Sequence, residues 1–264
     1  MTPVSLAVCA DDFRLEVKAA LNRARALGFR AVDLSAVTGP ISPAELSATG
    51  RRHFARHMED MGLRLASLRG PADGAGYDDP TAGERRLDQM RGIVRLASEL
   101  RVPVVSTAMG RPVRQPEGVI GDRAREALAV LADDADRFGV RVALETAGIS
   151  ASALNELLRE LNCPYLASCC DAGAMLMQGE DPHHVAEALP GRIALVRARD
   201  AVAGAAGAVG HETALGEGQL NPAAFLAALT EAGFGGDMIL TRTTAARPEL
   251  ELARARAEFE KYLP

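Results

Sequence analysis

Three apolar runs in the second half of the chain end in ionisable groups. Val142-Ala143-Leu144-Glu145-Thr146 closes on a carboxylate, Ala167-Ser168-Cys169-Cys170-Asp171 on another, and Leu195-Val196-Arg197-Ala198-Arg199-Asp200 on two guanidinium groups and an acid. If these runs are neighbouring strands, Glu145 and Asp171 converge. Two carboxylates in a partly dehydrated mouth repel, so one takes up a proton unless a cation compensates. A carboxylate poised in this way is suited to moving a proton on or off a small molecule, and a guanidinium beside it can donate to carboxylates or to a substrate oxygen. The plainer alternative is that Glu145 and Asp171 cap the helices that follow or pair with arginines.

Other reactive side chains are sparse. His53 and His57 stand four apart, a spacing able to hold a metal, but on an outer helix they read as a solvated or partly packed face. His183 and His184 follow Asp181-Pro182 at a helix start and read as surface residues. His211 differs: it lies in the small-residue loop Ala203 to Glu212, long enough to fold over a site and supply a base, a ligand or a substrate contact. Cys169 shares the inward parity of Asp171, whereas Cys170 should face outward; both read as small core residues. Gly216-Glu217-Gly218 lacks the rest of a phosphate-binding loop and reads as a turn.

The elements that must position these groups follow from periodicity. The strand-like runs are Val4–Cys9, Ala31–Leu34, Arg64–Leu68, Val104–Thr107, Val140–Glu145, Leu166–Asp171, Ile193–Arg197 and Met238–Thr241. Between them apolar residues recur at helical spacing, as in Phe13, Val17, Leu21, Ala24 or Ala124, Leu128, Leu131, Ala135. Several helices stop at a glycine that leads into the next strand (Gly28-Phe29-Arg30, Gly62-Leu63-Arg64, Gly139-Val140-Arg141), because glycine takes the left-handed conformation cheaply. Strands alternating with helices make right-handed parallel crossovers, and about eight such units in roughly 250 residues predict a single α/β domain over residues 1–264, a (β/α)8 TIM barrel of eight parallel strands. An open doubly wound sheet would want a glycine fingerprint after the first strand, where Cys9-Ala10-Asp11-Asp12 has none. In a barrel the C-terminal strand ends carry function, which is where Glu145, Asp171, Arg197 and Arg199 fall.

Composition narrows the partners. The 264 residues are 48% hydrophobic and 25% charged, with 30 Lys+Arg against 35 Asp+Glu and a net charge of −5. That mild acidity, without a basic block, argues against nucleic acid and against a polybasic membrane surface. No apolar stretch approaches the roughly 18–20 residues of a membrane span, and Met1 to Phe13 lacks a signal-peptide pattern, so a cytoplasmic protein is expected. Four cysteines, two of them adjacent in an apolar run, suit a reducing compartment better than a disulfide framework.

The order of short motifs resembles the xylose-isomerase-like sugar isomerases and epimerases over nearly the whole chain. The motifs are Asp79-Pro80 with Arg85 before an apolar helix, Leu144-Glu145, Asp171-Ala172-Gly173, then Gly216-Glu217-Gly218, a helix, and Gly233-Phe234-Gly235-Gly236. The resemblance implies a barrel whose mouth takes a small polyhydroxylated ligand, a sugar or sugar phosphate, or another small anionic ligand, and isomerises or epimerises it. It also implies a divalent metal held by Glu, Asp, His and Glu. Glu145 and Asp171 match, but the His position falls on Arg197 and the final Glu on Thr241. A guanidinium stays protonated and cannot ligate, so no cofactor is expected, the alternative being Mg or Mn held weakly by Glu145 and Asp171. Glu145 and Arg197 are then the expected catalytic pair, with Asp171, Arg199, Thr241 and His211 binding substrate. The competing reading is an inactive sugar-binding or scaffolding relative; the oligomeric state stays open.

Overall fold

Every expected strand forms, and no strand end lies more than one residue from its expected bound. The computed structural model describes residues 3–72, 74, 76–110, 120–145, 149–205 and 208–263. Seven barrel strands come first: β1 (Ser5–Cys9), β2 (Ala31–Ser35), β3 (Arg64–Arg69), β4 (Val104–Ala108), β5 (Arg141–Glu145), β6 (Leu166–Asp171) and β7 (Ile193–Ala198). A short hairpin follows, β8 (Asp200–Val202) against β9 (His211–Thr213), and β10 (Asp237–Leu240) is the eighth barrel strand. The barrel closes in the order β1-β10-β7-β6-β5-β4-β3-β2, with all neighbours parallel. This is a (β/α)8 TIM barrel.

Its outer ring is α1 (Val17–Ala26), α2 (Ala48–Asp60), α3 (Gly83–Glu99), α4 (Asp122–Phe138), α5 (Ala151–Leu161), α6 (Ala172–Met177), α7 (Pro182–Ala188), α8 (Pro222–Glu231) and α9 (Pro248–Glu260). Starts and stops follow local chemistry. Ser47, Ser150 and Asn221 accept a backbone N–H as N-caps, and Gly139 ends α4 in the left-handed region.

Strand parity divides the core in two. Outward residues such as Val8, Leu34, Val105, Leu144, Cys170 and Val196 pack on the helices, while Ala7, Cys9, Ala31, Ala66, Ala143, Ala167 and Cys169 fill the barrel interior. Cys169 therefore points inward and Cys170 outward, as their parity requires.

Two register shifts tune this pattern, between Val32 and Asp33 on β2 and between Ser168 and Cys169 on β6. The first brings Asp33 level with Ser67, the second Asp171 level with Arg197. Bulges of this kind re-aim side chains next to sites.

Two expectations need correction. The small-residue stretch Ala203–Glu212 is not simply a loop: its far end is strand β9, paired antiparallel with β8. Ala206 and Gly207 within it, like Thr146 after β5, lie outside the described residues. His183 is not a plain surface residue. It is half-buried, its ring edge-on to Phe225 and its Nδ1 2.6 Å from Asp181. Among the described residues no helix is long and apolar enough to cross a membrane.

Candidate active site

Five of the six expected site residues line one cavity of about 400 Å³ at the C-terminal end of the barrel: Glu145, Asp171, Arg197, Arg199 and Thr241. His211 is exposed on β9 and does not join them. Its neighbour Glu212 turns inward because alternate strand residues face opposite sides. A larger cleft of about 740 Å³ lies at the opposite end of the barrel, bounded by α2 and the starts of β3 and β4. Its arginines sit on α2, at the N-terminal start of β3 and ahead of β4, two of them tied to Glu99 and Asp237, whereas the mouth gathers ionisable groups from the C-terminal ends of separate strands.

At the floor of the mouth Arg197 is almost fully buried, and its partner is not the expected one. The guanidinium does not span Glu145 and Asp171. It grips Asp33 of β2, Nη1 to Oδ2 at 3.1 Å and Nη2 to Oδ1 at 3.3 Å, and Nη2 also donates to Ser106 Oγ at 2.9 Å. The reason is depth: Asp33 is fully buried, takes a hydrogen bond from Ser67 Oγ at 2.5 Å, and demands a cation in return. Burial alone would raise the Asp33 pKa, but Arg197 and Arg69 hold it below the usual carboxylate range.

What this leaves over is the reactive part. Arg197 Nε is buried, has no hydrogen-bond partner among the described residues, and lies 3.8 Å from Glu145 Oε1. Glu145 is half-buried, its side chain 15% exposed. Burial in the mouth pushes its pKa up, and Asp171 adds to that while Arg197 opposes it.

Asp171 takes both roles of the plainer alternative. Its Oδ1 accepts the Ala174 N–H at 2.9 Å as the N-cap of α6, and both oxygens are forked by Arg199, Nε to Oδ1 and Nη2 to Oδ2, each at 2.8 Å. Despite burial, that pairing keeps Asp171 low. The glycine of Asp171-Ala172-Gly173 is needed here, because a Cβ on Gly173 would run into Cγ of Arg199. Thr241 donates its hydroxyl to Asp12 Oδ2 at 2.6 Å.

Sequence reasoning missed Asp12, the partner of Thr241, and three further groups at the rim. Asp11 takes the Ser35 N–H and Arg69 Nη2, both at 2.7 Å. Arg14 donates to the Thr243 carbonyl at 2.6 Å. Asp11 and Arg14 follow β1, and Arg69 ends β3; the rule that C-terminal strand ends carry function reaches all three.

A divalent metal does not suit this donor set. Both Asp171 oxygens are engaged by Arg199, the Arg197 guanidinium stands where the resemblance would put a His ligand, and the Thr241 hydroxyl is committed to Asp12. Among the described residues, no group of three or more His, Cys, Asp or Glu is arranged to hold a metal ion.

A protein of Planctomyces limnophilus described as a xylose isomerase domain protein has the same fold at a TM-score of 0.82, with 22% identity over 99% of this chain and 96% of that one. A xylose isomerase-like TIM barrel protein of Mycobacterium smegmatis in complex with magnesium aligns at 0.76, with 17% identity over 99% and 96%. The 3-keto-D-glucoside 4-epimerase of E. coli, in its apo form, aligns at 0.75, with 16% identity over 99% and 100%. No protein of curated function matches the sequence. The model of one family, the xylose isomerase-like TIM barrel, matches residues 21–262, and with nearly the whole length covered the chain belongs to that family.

Proposed function

We propose that the mouth binds a small polyhydroxylated ligand and that Glu145 moves a proton on the carbon beside its carbonyl, making the protein an isomerase or epimerase. The observation that carries this is the pairing of a half-buried carboxylate of raised pKa with an unpartnered, buried guanidinium N–H 3.8 Å away, both opening on one cavity. Glu145 takes the proton as base. Arg197 Nε–H donates to the oxygen that gains negative charge, a fixed donor aimed where charge develops. For isomerisation Glu145 returns the proton to the neighbouring carbon while the hydroxyl proton there passes to the former carbonyl oxygen; for epimerisation the same carbon takes a proton from solvent on its opposite face and Glu145 later gives its own proton up to solvent. Arg199 holds Asp171 with Nε and Nη2 and reaches Thr243 Oγ1 with Nη1, whereas Arg197 Nε is the donor that faces Glu145, so Arg197 is taken as the electrophile. Because Arg197 brings a permanent positive charge, the reaction proceeds without a divalent cation. Sugar epimerases among the structural neighbours support the substrate class.

The test is proton exchange in D2O, followed by NMR over a panel of ketoses, aldoses and their oxidised forms. Solvent deuterium should enter the carbon next to the carbonyl of at least one member. Glu145→Gln should slow this by about 10²–10⁴-fold, the usual weight of a general base. Exchange should survive EDTA. Binding without exchange across the panel would favour the inactive sugar-binding relative, and exchange lost to EDTA and restored by Mn²⁺ would overturn the metal-free route.

A further inference from the structure

We propose that Asp11 is a second proton-transfer group of the mouth, serving the face of the substrate carbon that Glu145 does not reach, so that the reaction is an epimerisation. This rests on the reading of Glu145 as the base and chooses between its two outcomes.

Strand order sets up the geometry. With the barrel closed as β1-β10-β7-β6-β5-β4-β3-β2, β1 and β5 are four strands apart in either direction and stand opposite each other. Glu145 ends β5, and Asp11 lies in the 3-10 turn Ala10–Phe13 that directly follows β1. Both line the same cavity of about 400 Å³, so a small molecule seated there has one carboxylate on each side. Asp171, on the neighbouring strand β6, shares the Glu145 side. A base lifts and returns a proton only from its own side; inverting the carbon takes a donor on the other.

Hydrogen bonding separates Asp11 from the other acids of the cavity. Asp171 has both oxygens forked by Arg199. Asp12 is buried, its Oδ2 taking the Thr241 hydroxyl and the Arg242 N–H, each at 2.6 Å. Asp11 is fastened through one oxygen: the Ser35 N–H and Arg69 Nη2 both reach Oδ2 at 2.7 Å, and among the described residues no hydrogen bond reaches Oδ1. Those two bonds hold the carboxyl group in place and leave Oδ1 to give or take a proton. The side chain is 36% exposed, which lets solvent reset its protonation between turnovers. Its partial burial pushes its pKa up against the opposing pull of Arg69 and the Ser35 N–H, the same direction as Glu145 and opposite to Asp171.

The step balances. Ionised Glu145 takes the hydrogen beside the carbonyl as a proton, the C–H pair moves into the carbon–carbon bond, and the carbonyl pair moves onto the oxygen that faces Arg197 Nε–H. Asp11, protonated at Oδ1, gives its proton to the opposite face of the same carbon as the carbonyl re-forms. Glu145 is left protonated and Asp11 ionised, and exchange with solvent resets both. The solvent proton of the epimerisation thus arrives by way of Asp11, and the reverse reaction uses the two groups in exchanged roles.

The experiment follows both epimers of a sugar that exchanges with the intact protein, in D2O by NMR. With the parent protein, the first turnovers in either direction should put one deuterium on the inverted carbon. Asp11→Asn keeps an oxygen for the Ser35 N–H and should slow inversion by about 10²-fold or more, the lower end of what a general acid contributes. Deuterium should still enter, with retained configuration, the epimer that presents its proton to Glu145. Glu145→Gln should show the mirror pattern, with exchange confined to the other epimer, and Asp11→Glu should restore part of the inversion. Inversion at the parent's rate in Asp11→Asn, or equal loss of exchange from both epimers in that variant, overturns the inference. A product whose proton has moved to the neighbouring carbon, or exchange without inversion in the parent, sinks Asp11 alone and leaves Glu145 as the base. No exchange from any sugar sinks the Glu145 reading and Asp11 with it.

Discussion

Asp33 and Arg197 bear on each other more than on any ligand. Each is the other's main countercharge at the barrel floor, so removing one strands the other in a dehydrated interior. Asp33→Ala should therefore destabilise the protein by about 3–5 kcal/mol in urea denaturation, the range for breaking a buried pair. A change below about 1 kcal/mol would show that the pair is not formed in solution. Glu145 has the opposite sign. Its folded pKa is raised, so its ionisation works against folding, and the stability present below the unfolded pKa is lost as pH rises through the folded one. Glu145→Gln should accordingly gain stability relative to the parent on going from pH 4 to pH 8, read as the shift in urea midpoint at each pH. Asp33 and Asp171 are held low, so the stability they contribute is present above about pH 4 and lost below it. Of these four residues, Glu145, Asp171 and Arg197 were legible in the sequence because each closes an apolar run on a charge. Asp33 was not: Ala31-Val32-Asp33-Leu34 shows one acid inside a run, and only the closure of β2 toward β7 across the barrel shows what it answers to.

At the scale of elements, the β8–β9 hairpin is fastened to the mouth at two points. Asp200, the first residue of β8, collects four backbone N–H groups, from Ala201, Gly216, Gly218 and Leu220, at 2.8–3.0 Å. The Gly216-Glu217-Gly218 motif is thus a clasp around a buried carboxylate. Gly218 cannot carry a Cβ there, because it would collide with the Asp200 side chain and the Ala201 carbonyl. Glu212 on β9 makes the second fastening, accepting from the N–H and hydroxyl groups of Thr243 and Thr244 and pairing with Arg242 at 3.0 Å. These bonds tie the hairpin to the segment that carries Thr243, the anchor of Arg14. Glu212→Ala should cost about 2 kcal/mol, the scale of hydrogen bonds to a buried charge. It should also raise hydrogen exchange in residues 200–213 and 241–244 together; faster exchange in only one of the two segments would mean that they are not coupled through Glu212.

For the whole molecule, the decisive contrast is between a guanidinium and a metal as the central cation of one barrel mouth. Glu145, Asp171, Arg197 and Thr241 line the same cavity, so the positions that the family resemblance assigns to metal ligands do converge. The double change Arg197→His with Thr241→Glu restores four ligand types there. Without metal it should be less stable than the parent, since Asp33 loses its countercharge. With Mn²⁺ at about 100 times its dissociation constant it should recover about 2.7 kcal/mol, the linkage value for one site. A double variant whose thermal stability ignores Mn²⁺ would show that the mouth does not have the shape of a metal site.

The sequence alone determined the barrel, because hydrophobic periodicity and glycine helix stops are local signals repeated in every unit, and eight such units leave few ways to bury their stripes. It also determined which strand ends are charged, and that Arg197 and Thr241 stand where the family resemblance would put a His and a Glu. It could not determine who pairs with whom. Asp33 and Arg197 are 164 residues apart, and Asp171, the last residue of β6, and Arg199, just past the end of β7, are 28 apart. Such contacts depend on strand order, on two bulges that move the register, and on burial depth, none of which leaves a local mark. Tertiary structure alone therefore decided that Arg197 is locked to Asp33 with one N–H to spare, that Arg199 and not Arg197 neutralises Asp171, and that His211 faces solvent while Glu212 turns in.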